Sequence, residues 1–309
     1  MMRLPRVGSG QLRRDQDITA VELSKLLELA ADVKLRPANY DAVLAGKYFA
    51  LLFEKPSLRT RMTFELAVKQ LGGDFVTAIG GVGDREPVKD VARNLARWTH
   101  GIVARTFLQQ TVDDLAQFSG RPVINALSDM YHPCQAFADF QTLAERFGSS
   151  NGGSVSGLKL AYIGDGNNVA HSLMLNAARL GVDFAIATPK GYEPDEALVR
   201  EARELGGSVT VTSRCPEAVE GAHAVYTDVW ASMGQESQAD ERKRVFAPYQ
   251  VNEALMAKAR PDAIFMHCLP AKRGLETTDA VMESPQSAVF DQAENRLHAQ
   301  KALMLMLYA

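Results

Sequence analysis

At 309 residues the chain is long enough for two domains, and 46% hydrophobic with 23% charged residues is the composition of an ordinary globular protein. A net charge of −3 argues against a general nucleic-acid-binding surface, and no apolar run approaches the roughly 20 residues that span a bilayer. The basic start, 1–14, lacks the apolar centre of a signal peptide, and three cysteines without a CxxC pair indicate reduced thiols in a cytoplasmic protein rather than a disulfide framework.

In chain order, Thr19-Ala20-Val21-Glu22 reads as a capping box opening a helix to about Lys34. Strands are predicted at 48–53, 75–79, 101–104 and 122–125, with helical patterns at 57–71, 88–99, 112–118 and 133–147. The stretch 148–154 holds only small and polar residues, which favour a loop at or near a domain boundary. Beyond it, strands are predicted at 159–163, 184–187, 208–211, 224–226, 263–266 and 288–290. Helices fall at about 169–180, 196–205 and 252–259, and an amphipathic helix from about Ala293 to Leu307 closes the chain. This alternation predicts an α/β fold of two similar-sized domains, each a mainly parallel sheet flanked by helices.

Several strands end in unusual polar groups, and in open α/β sheets ligands collect beyond the carboxyl ends of the strands. After 48–53, Pro56 breaks the run and Leu58, Met62 and Leu66 recur at helical spacing, which puts Ser57, Arg59, Thr60 and Arg61 in the loop and first turn of a helix. Free N–H groups and the positive helix end attract anions there, and two hydroxyls with two arginines suit a phosphate. A capped helix start with solvated arginines is the plain alternative, although cations at a helix N-terminus oppose the dipole. His132-Pro133-Cys134-Gln135 opens another helix, where proline is a normal start signal. The histidine and glutamine would also suit an amide or carbonyl.

Asp228-Val229-Trp230-Ala231-Ser232-Met233-Gly234 follows the strand 224–226 and could bind an ammonium group or simply cap a loop. Gly164-Asp165-Gly166-Asn167-Asn168 resembles a nucleotide-binding turn, but Val169 stands where GxGxxG needs its last glycine, which disfavours a dinucleotide. Its two asparagines are either caps or ligands of a carboxylate or amine. His267-Cys268-Leu269-Pro270 follows the strand 263–266, and no second Cys/His pair has the spacing of a structural zinc site. A lone cysteine is more often an inert small hydrophobe, though this one follows a strand end.

Taken together, these segments resemble the aspartate/ornithine carbamoyltransferase family. The resemblance runs in order from about Ala50 to Leu303 through SLRTR at 57–61, Arg105 in IVART, HPCQ at 132–135, GDGNN at 164–168, DVWASMGQE at 228–236, HCLP at 267–270 and NRLHAQKALM at 295–304. The SMG and HCLP elements align it with the ornithine-using branch. The resemblance implies transfer of a carbamoyl group from carbamoyl phosphate to the δ-amine of L-ornithine, giving L-citrulline and phosphate, a step of arginine biosynthesis. It implies a carbamoyl-phosphate-binding domain at 1–147 and an ornithine-binding domain at 148–309, with 292–309 as a helix returning to the first.

By the same resemblance, Ser57, Leu58 (backbone), Arg59, Thr60 and Arg105 would hold the phosphate. Arg105, Thr60 and His132 would polarise the carbamoyl oxygen, and Gln135 with the carbonyls near Cys268 and Leu269 would hold the carbamoyl amide. Arg296 would complete that pocket, while Asn168, Asp228, Ser232 and Met233 would bind ornithine. Arg105, His132 and Cys268 are the expected catalytic residues, with no metal or organic cofactor and a homotrimeric assembly. Two positions depart from the family: Leu58 stands where threonine is usual, and Gly81 where relatives often place glutamine in a loop that reaches a neighbouring subunit. The rival readings are a sister enzyme acting on putrescine, N-acetylornithine, N-succinylornithine or aspartate, and a catalytically silent phosphate- or amino-acid-binding protein.

Overall fold

The computed structural model describes residues 4–55, 57–148, 153–231 and 236–309. The chain divides into two compact units, Met1–Gln141 with Glu294–Ala309, and Thr142–Ala293.

In the first unit, α1 (Ala20–Leu35) starts on the capping box: Thr19 Oγ1 accepts the Glu22 N–H, and Glu22 Oε2 accepts the Thr19 N–H at 2.8 Å. Then follow β1 (Tyr48–Phe53), α2 (Leu58–Gln70), β2 (Asp74–Ile79), α3 (Val88–Trp98), β3 (Gly101–Arg105), α4 (Gln109–Ser119), β4 (Val123–Leu127) and α5 (Pro133–Phe147). The strands form a parallel sheet in the order β2-β1-β3-β4. β1 and β3 are almost wholly buried, as parallel strands covered on both faces must be. β2 is an edge strand with Val76 and Ile79 exposed. On α2 the buried face is Thr60, Phe64, Ala67 and Val68, whereas Leu58, Met62 and Leu66 point outward.

The second unit holds β5 (Lys159–Ile163), α6 (Asn168–Leu180), β6 (Asp183–Ala187), α7 (Glu196–Glu204), β7 (Val209–Thr212), α8 (Cys215–Val219), β8 (Ala224–Thr227), α9 (Ala239–Phe246), α10 (Glu253–Met256), β9 (Ile264–His267) and α11 (Asp279–Met282). Its parallel sheet has the order β7-β6-β5-β8-β9. The terminal helix α12 (Val289–Tyr308) belongs to the first unit from Glu294 onward, and its last turn packs Tyr308 edge-on to Phe49 of β1. No described helix is long and apolar enough to cross a membrane.

The predicted strand at 288–290 does not form. Phe265 exchanges backbone hydrogen bonds with Gln286 and Ala288, and α12 then begins at Val289. The apolar triplet that imitated a strand is divided between this short bridge and a helix turn, with Val289 buried and Phe290 exposed. The helix expected over 252–259 is shorter, ending at Met256 after an N-cap at Asn252.

Both sheets reverse direction of growth once. The chain lays β2 on one side of β1 and β3 on the other, and lays β6 on one side of β5 and β8 on the other. Crevices at such switch points are where open α/β sheets place ligands. One crevice faces the residues after β1 and β3, the other those after β5 and β8.

Candidate active-site residues

In the first unit, the switch point brings together residues far apart in the chain. Arg105, the last residue of β3, stands beside Phe53 at the end of β1. Ser57 occupies the N-cap position of α2 without making a side-chain capping bond, and Thr60 lies buried in the first turn. Thr60 Oγ1 accepts from Arg105 Nη1 at 3.4 Å and from Arg296 Nη2 at 3.0 Å. Arg296 Nη1 also donates to Gln135 Oε1, and Gln135 Nε2 donates to Asp139 Oδ1 at 2.8 Å. Arg105, Gln135 and Arg296 are all buried, with Arg59 half-buried beside Ser57. Two buried guanidiniums that share one hydroxyl at a helix N-terminus are chemically suited to hold an anion, because a buried cation gains most from an anionic partner.

His132, at the start of α5, is buried beside the same arginines. Burial first, then the charges of Arg296 and Arg105, hold its imidazole well below the usual histidine range. It therefore stands neutral at pH 7, able to donate one N–H to a carbonyl oxygen without adding charge. Glu54, absent from the sequence-based candidates, ties the surrounding loops. Its carboxylate accepts the Val82 N–H at 2.8 Å and the Phe107 N–H at 2.6 Å. At Gly81 the Asp84 carboxylate fills the place of a Cβ, 2.2 Å from it, so a larger residue there would displace Asp84.

The second unit builds a different cluster. Asp228, just after β8, is buried. It accepts from the Cys268 thiol at 2.9 Å, from Asn167 Nδ2 at 3.0 Å and from the Val229 N–H at 2.7 Å. Asn167 in turn accepts the N–H groups of Val169 and Ala170, capping α6. Asn168, the expected ligand, is the first residue of that helix and half-buried. Asp165 in the same turn forms a buried ion pair with Arg242 of α9 at 2.6 Å, and Arg242 also donates to the Trp230 carbonyl at 2.8 Å. Burial raises the Asp165 carboxyl above its ordinary value despite that arginine. Ser232 and Met233 lie outside the described residues.

His267 turns inward. Its Nδ1 accepts the Leu269 N–H at 2.8 Å, and its Nε2 lies 3.2 Å from the buried Glu276 carboxylate. This holds the turn in which Leu269 has φ of 57°, a conformation costly for a non-glycine residue and common at functional sites. Asp228, His267 and Cys268 offer three ligand atoms within 4.8 Å of one another. Metal binding there would require His267 to give up one of two ring contacts, so the geometry fits a positioning role better. Cys134 and Cys215 are unreactive by contrast: burial pushes their thiols up to about 12 and about 11.

Two family descriptions match almost the whole chain: the aspartate/ornithine carbamoyltransferase carbamoyl-P binding domain over residues 11–145, and the Asp/Orn binding domain over 156–307. The chain belongs to the aspartate/ornithine carbamoyltransferase family. Among its relatives, the ornithine carbamoyltransferase of Thermococcus kodakarensis is 49% identical over 306 residues, 94% of each chain. The anabolic ornithine carbamoyltransferase of Pyrococcus furiosus is 48% identical over 301 residues, again 94% of each. A solved ornithine carbamoyltransferase from Pyrococcus furiosus superimposes with a TM-score of 0.90 at 46% identity, covering 98% of this chain and 97% of that one. Within this family the first cluster lies in the carbamoyl-P binding region apart from Arg296, and Asp228, Asn167 and Cys268 lie in the Asp/Orn binding region.

Proposed function

We propose that the chain transfers the carbamoyl group of carbamoyl phosphate to the δ-amine of L-ornithine, giving L-citrulline and phosphate. The observation that carries this reading is the buried group Arg105–Thr60–Arg296–Gln135, with neutral His132 beside it. It presents paired cationic donors for a phosphate and a carbonyl oxygen, together with an amide to match the carbamoyl NH₂. In this reading Ser57, the Leu58 N–H, Arg59 and Thr60 hold the phosphate, and Arg105 and His132 polarise the carbamoyl oxygen. Cys268 and Leu269 supply backbone acceptors to the amide.

Ornithine binds through Asp228, which takes the α-ammonium, with Asn168, Ser232 and Met233 around the amino-acid end. The neutral δ-nitrogen attacks the carbamoyl carbon, a tetrahedral intermediate forms, and the C–O bond to phosphate breaks. The departing phosphate takes the proton that the amine loses. Positioning two substrates can remove on the order of 7–11 kcal/mol of barrier, and each preorganised oxyanion donor roughly 2.7–4 more. The reaction needs no metal or organic cofactor.

We assign residues 1–147 to carbamoyl phosphate and 148–309 to ornithine, with 292–309 contributing Arg296 to the former. The assembly is a cytoplasmic homotrimer. The exposed row Leu58, Met62 and Leu66 on α2, with Val76 and Ile79 on the edge strand β2, supports self-association, since such apolar surface favours a partner. The test is a panel of amines with carbamoyl phosphate: ornithine should be carbamoylated far faster than putrescine, N-acetylornithine, N-succinylornithine or aspartate. Preference for an acylated amine or for putrescine would count against the Asp228 assignment, because neither offers it an α-ammonium.

A further inference from the structure

Lys301 lies on α12, five residues beyond Arg296, with only 1% of its surface exposed. Its Nζ donates to Gln70 Oε1 at 3.2 Å, a neutral acceptor at the end of α2, and it has no carboxylate partner among the described residues. A buried ammonium normally has a counter-charge, because solvation by one amide replaces little of what water provided. This one borders an open cavity of about 480 Å³ lined by Pro37, Ala38, Asp41, Lys69, Gln70 and Lys301.

We propose that this cavity is a second anion site, separate from the catalytic cluster, which takes a small phosphate or carboxylate on the Lys301 ammonium. The lining carries one carboxylate, Asp41, beside its two lysines. Lys69 stands on the same wall, its own ammonium held by Asp74. His298, three residues before Lys301, senses both Lys301 and Lys34 as positive neighbours, against Glu294 as the acid at 3.6 Å. Burial also lowers the Lys301 amine, the shift an anionic ligand would reverse. The Gln70 amide group can donate to the same oxyanion.

Two sources share this chemistry. Inorganic phosphate would use Lys301 and Gln70 alone, whereas an α-amino acid would place its carboxylate on Lys301 and its ammonium on Asp41. The site also touches the helices that hold the catalytic cluster: α2 carries Thr60 and Gln70, about 15 Å apart along the helix, and α12 carries Arg296 and Lys301.

Equilibrium dialysis of the whole protein with radiolabelled phosphate and, separately, radiolabelled glycine tests the proposal. The wild type should bind one more anion per chain than Lys301→Met, with Lys301→Arg retaining it. Asp41→Asn should weaken glycine alone if the amino acid is the ligand, and phosphate alone should bind if it is not. Equal stoichiometry in the wild type and Lys301→Met, for both probes, overturns the site. Gln70→Glu gives the same answer if Lys301→Met does not fold: it places a fixed carboxylate against the Lys301 ammonium, in the position now held by the neutral Gln70 amide. It should lose one anion per chain, and unchanged stoichiometry overturns the site as well.

Discussion

At the scale of single residues, the chemistry depends on charges held in fixed places. Arg105 reaches the hydroxyl of Thr60 from the end of β3, and the proposed mechanism has it touch both phosphate and carbonyl oxygen. Arg105→Ala should lower kcat/KM by about 10²-fold or more while circular dichroism stays native. Near-normal turnover would remove the residue from the mechanism. Asp228→Asn takes away a charge-assisted hydrogen bond of about 1.5–3 kcal/mol, so the KM for ornithine should rise roughly tenfold to 150-fold with carbamoyl phosphate affinity little changed. Equal weakening of both ligands would show that Asp228 holds structure instead of reading the amino acid. Ornithine's δ-ammonium titrates near about 10, so rates at subsaturating ornithine should climb from neutral into alkaline pH. A flat profile in stopped-time assays would contradict attack by the free amine. His132 makes a prediction about stability. Its folded-state value is depressed, so the unfolded chain takes up a proton first as pH falls below the ordinary 6.5. The contribution is therefore complete above that pH and erodes below it. Denaturant midpoints should fall less between about pH 7.5 and 5.5 in His132→Gln than in the wild type. An identical fall in both would mean that the folded state does not hold the His132 imidazole below its ordinary range.

At the scale of elements, periodicity and turn residues are enough to find every strand of both sheets: the inner strands as short buried apolar runs between polar turns, the edge strands β2 and β7 as short runs rich in β-branched residues. The same rule misread 288–290, where three apolar residues serve a bridge and a helix start. It missed α9 for the opposite reason: Ala239–Phe246 is mostly charged, and only Arg242 and Phe246 are buried, too few to mark a period. The strand ends point to Asp228 and Cys268, whereas Arg105 enters only through the family motif, and local pattern says nothing of partners. Arg296 meets Gln135 and Thr60 across 161 and 236 residues, and only its place in an ordered set of family motifs singled it out. Asn167 and Asn168 look alike in sequence as cap or ligand, and only the fold shows Asn167 capping α6 while it holds Asp228; the Asp165–Arg242 pair leaves no sequence signal. The turn they share gives the element-scale prediction. A Cβ on Gly166 would lie 2.2 Å from the backbone nitrogen of Pro194, which cannot swing away as a side chain could. Gly166→Ala should cost about 1–3 kcal/mol in denaturant unfolding and raise the KM for ornithine through the displaced Asn167. Unchanged stability and KM would show that this close approach is not needed.

At the scale of the whole molecule, each unit gathers polar side chains at the switch point of its own sheet, and the two clusters have opposite character. Cationic donors gather around Arg105 and Arg296, and a carboxylate stands at Asp228. That division matches a reaction between a dianion and a diamine. Light scattering should show the proposed trimer, and because the apolar row on α2 supports self-association, Leu58→Glu with Met62→Glu should shift it toward smaller species. A monodisperse monomer with full activity would contradict that assembly. The most direct measurement of the central claim follows the carbon itself, by ¹³C and ³¹P NMR of the protein with ¹³C-carbamoyl phosphate and L-ornithine. The label should appear as the ureido carbon of citrulline, with one phosphate released for each citrulline formed. Phosphate released without citrulline, or label on any other nitrogen of ornithine, would contradict the account.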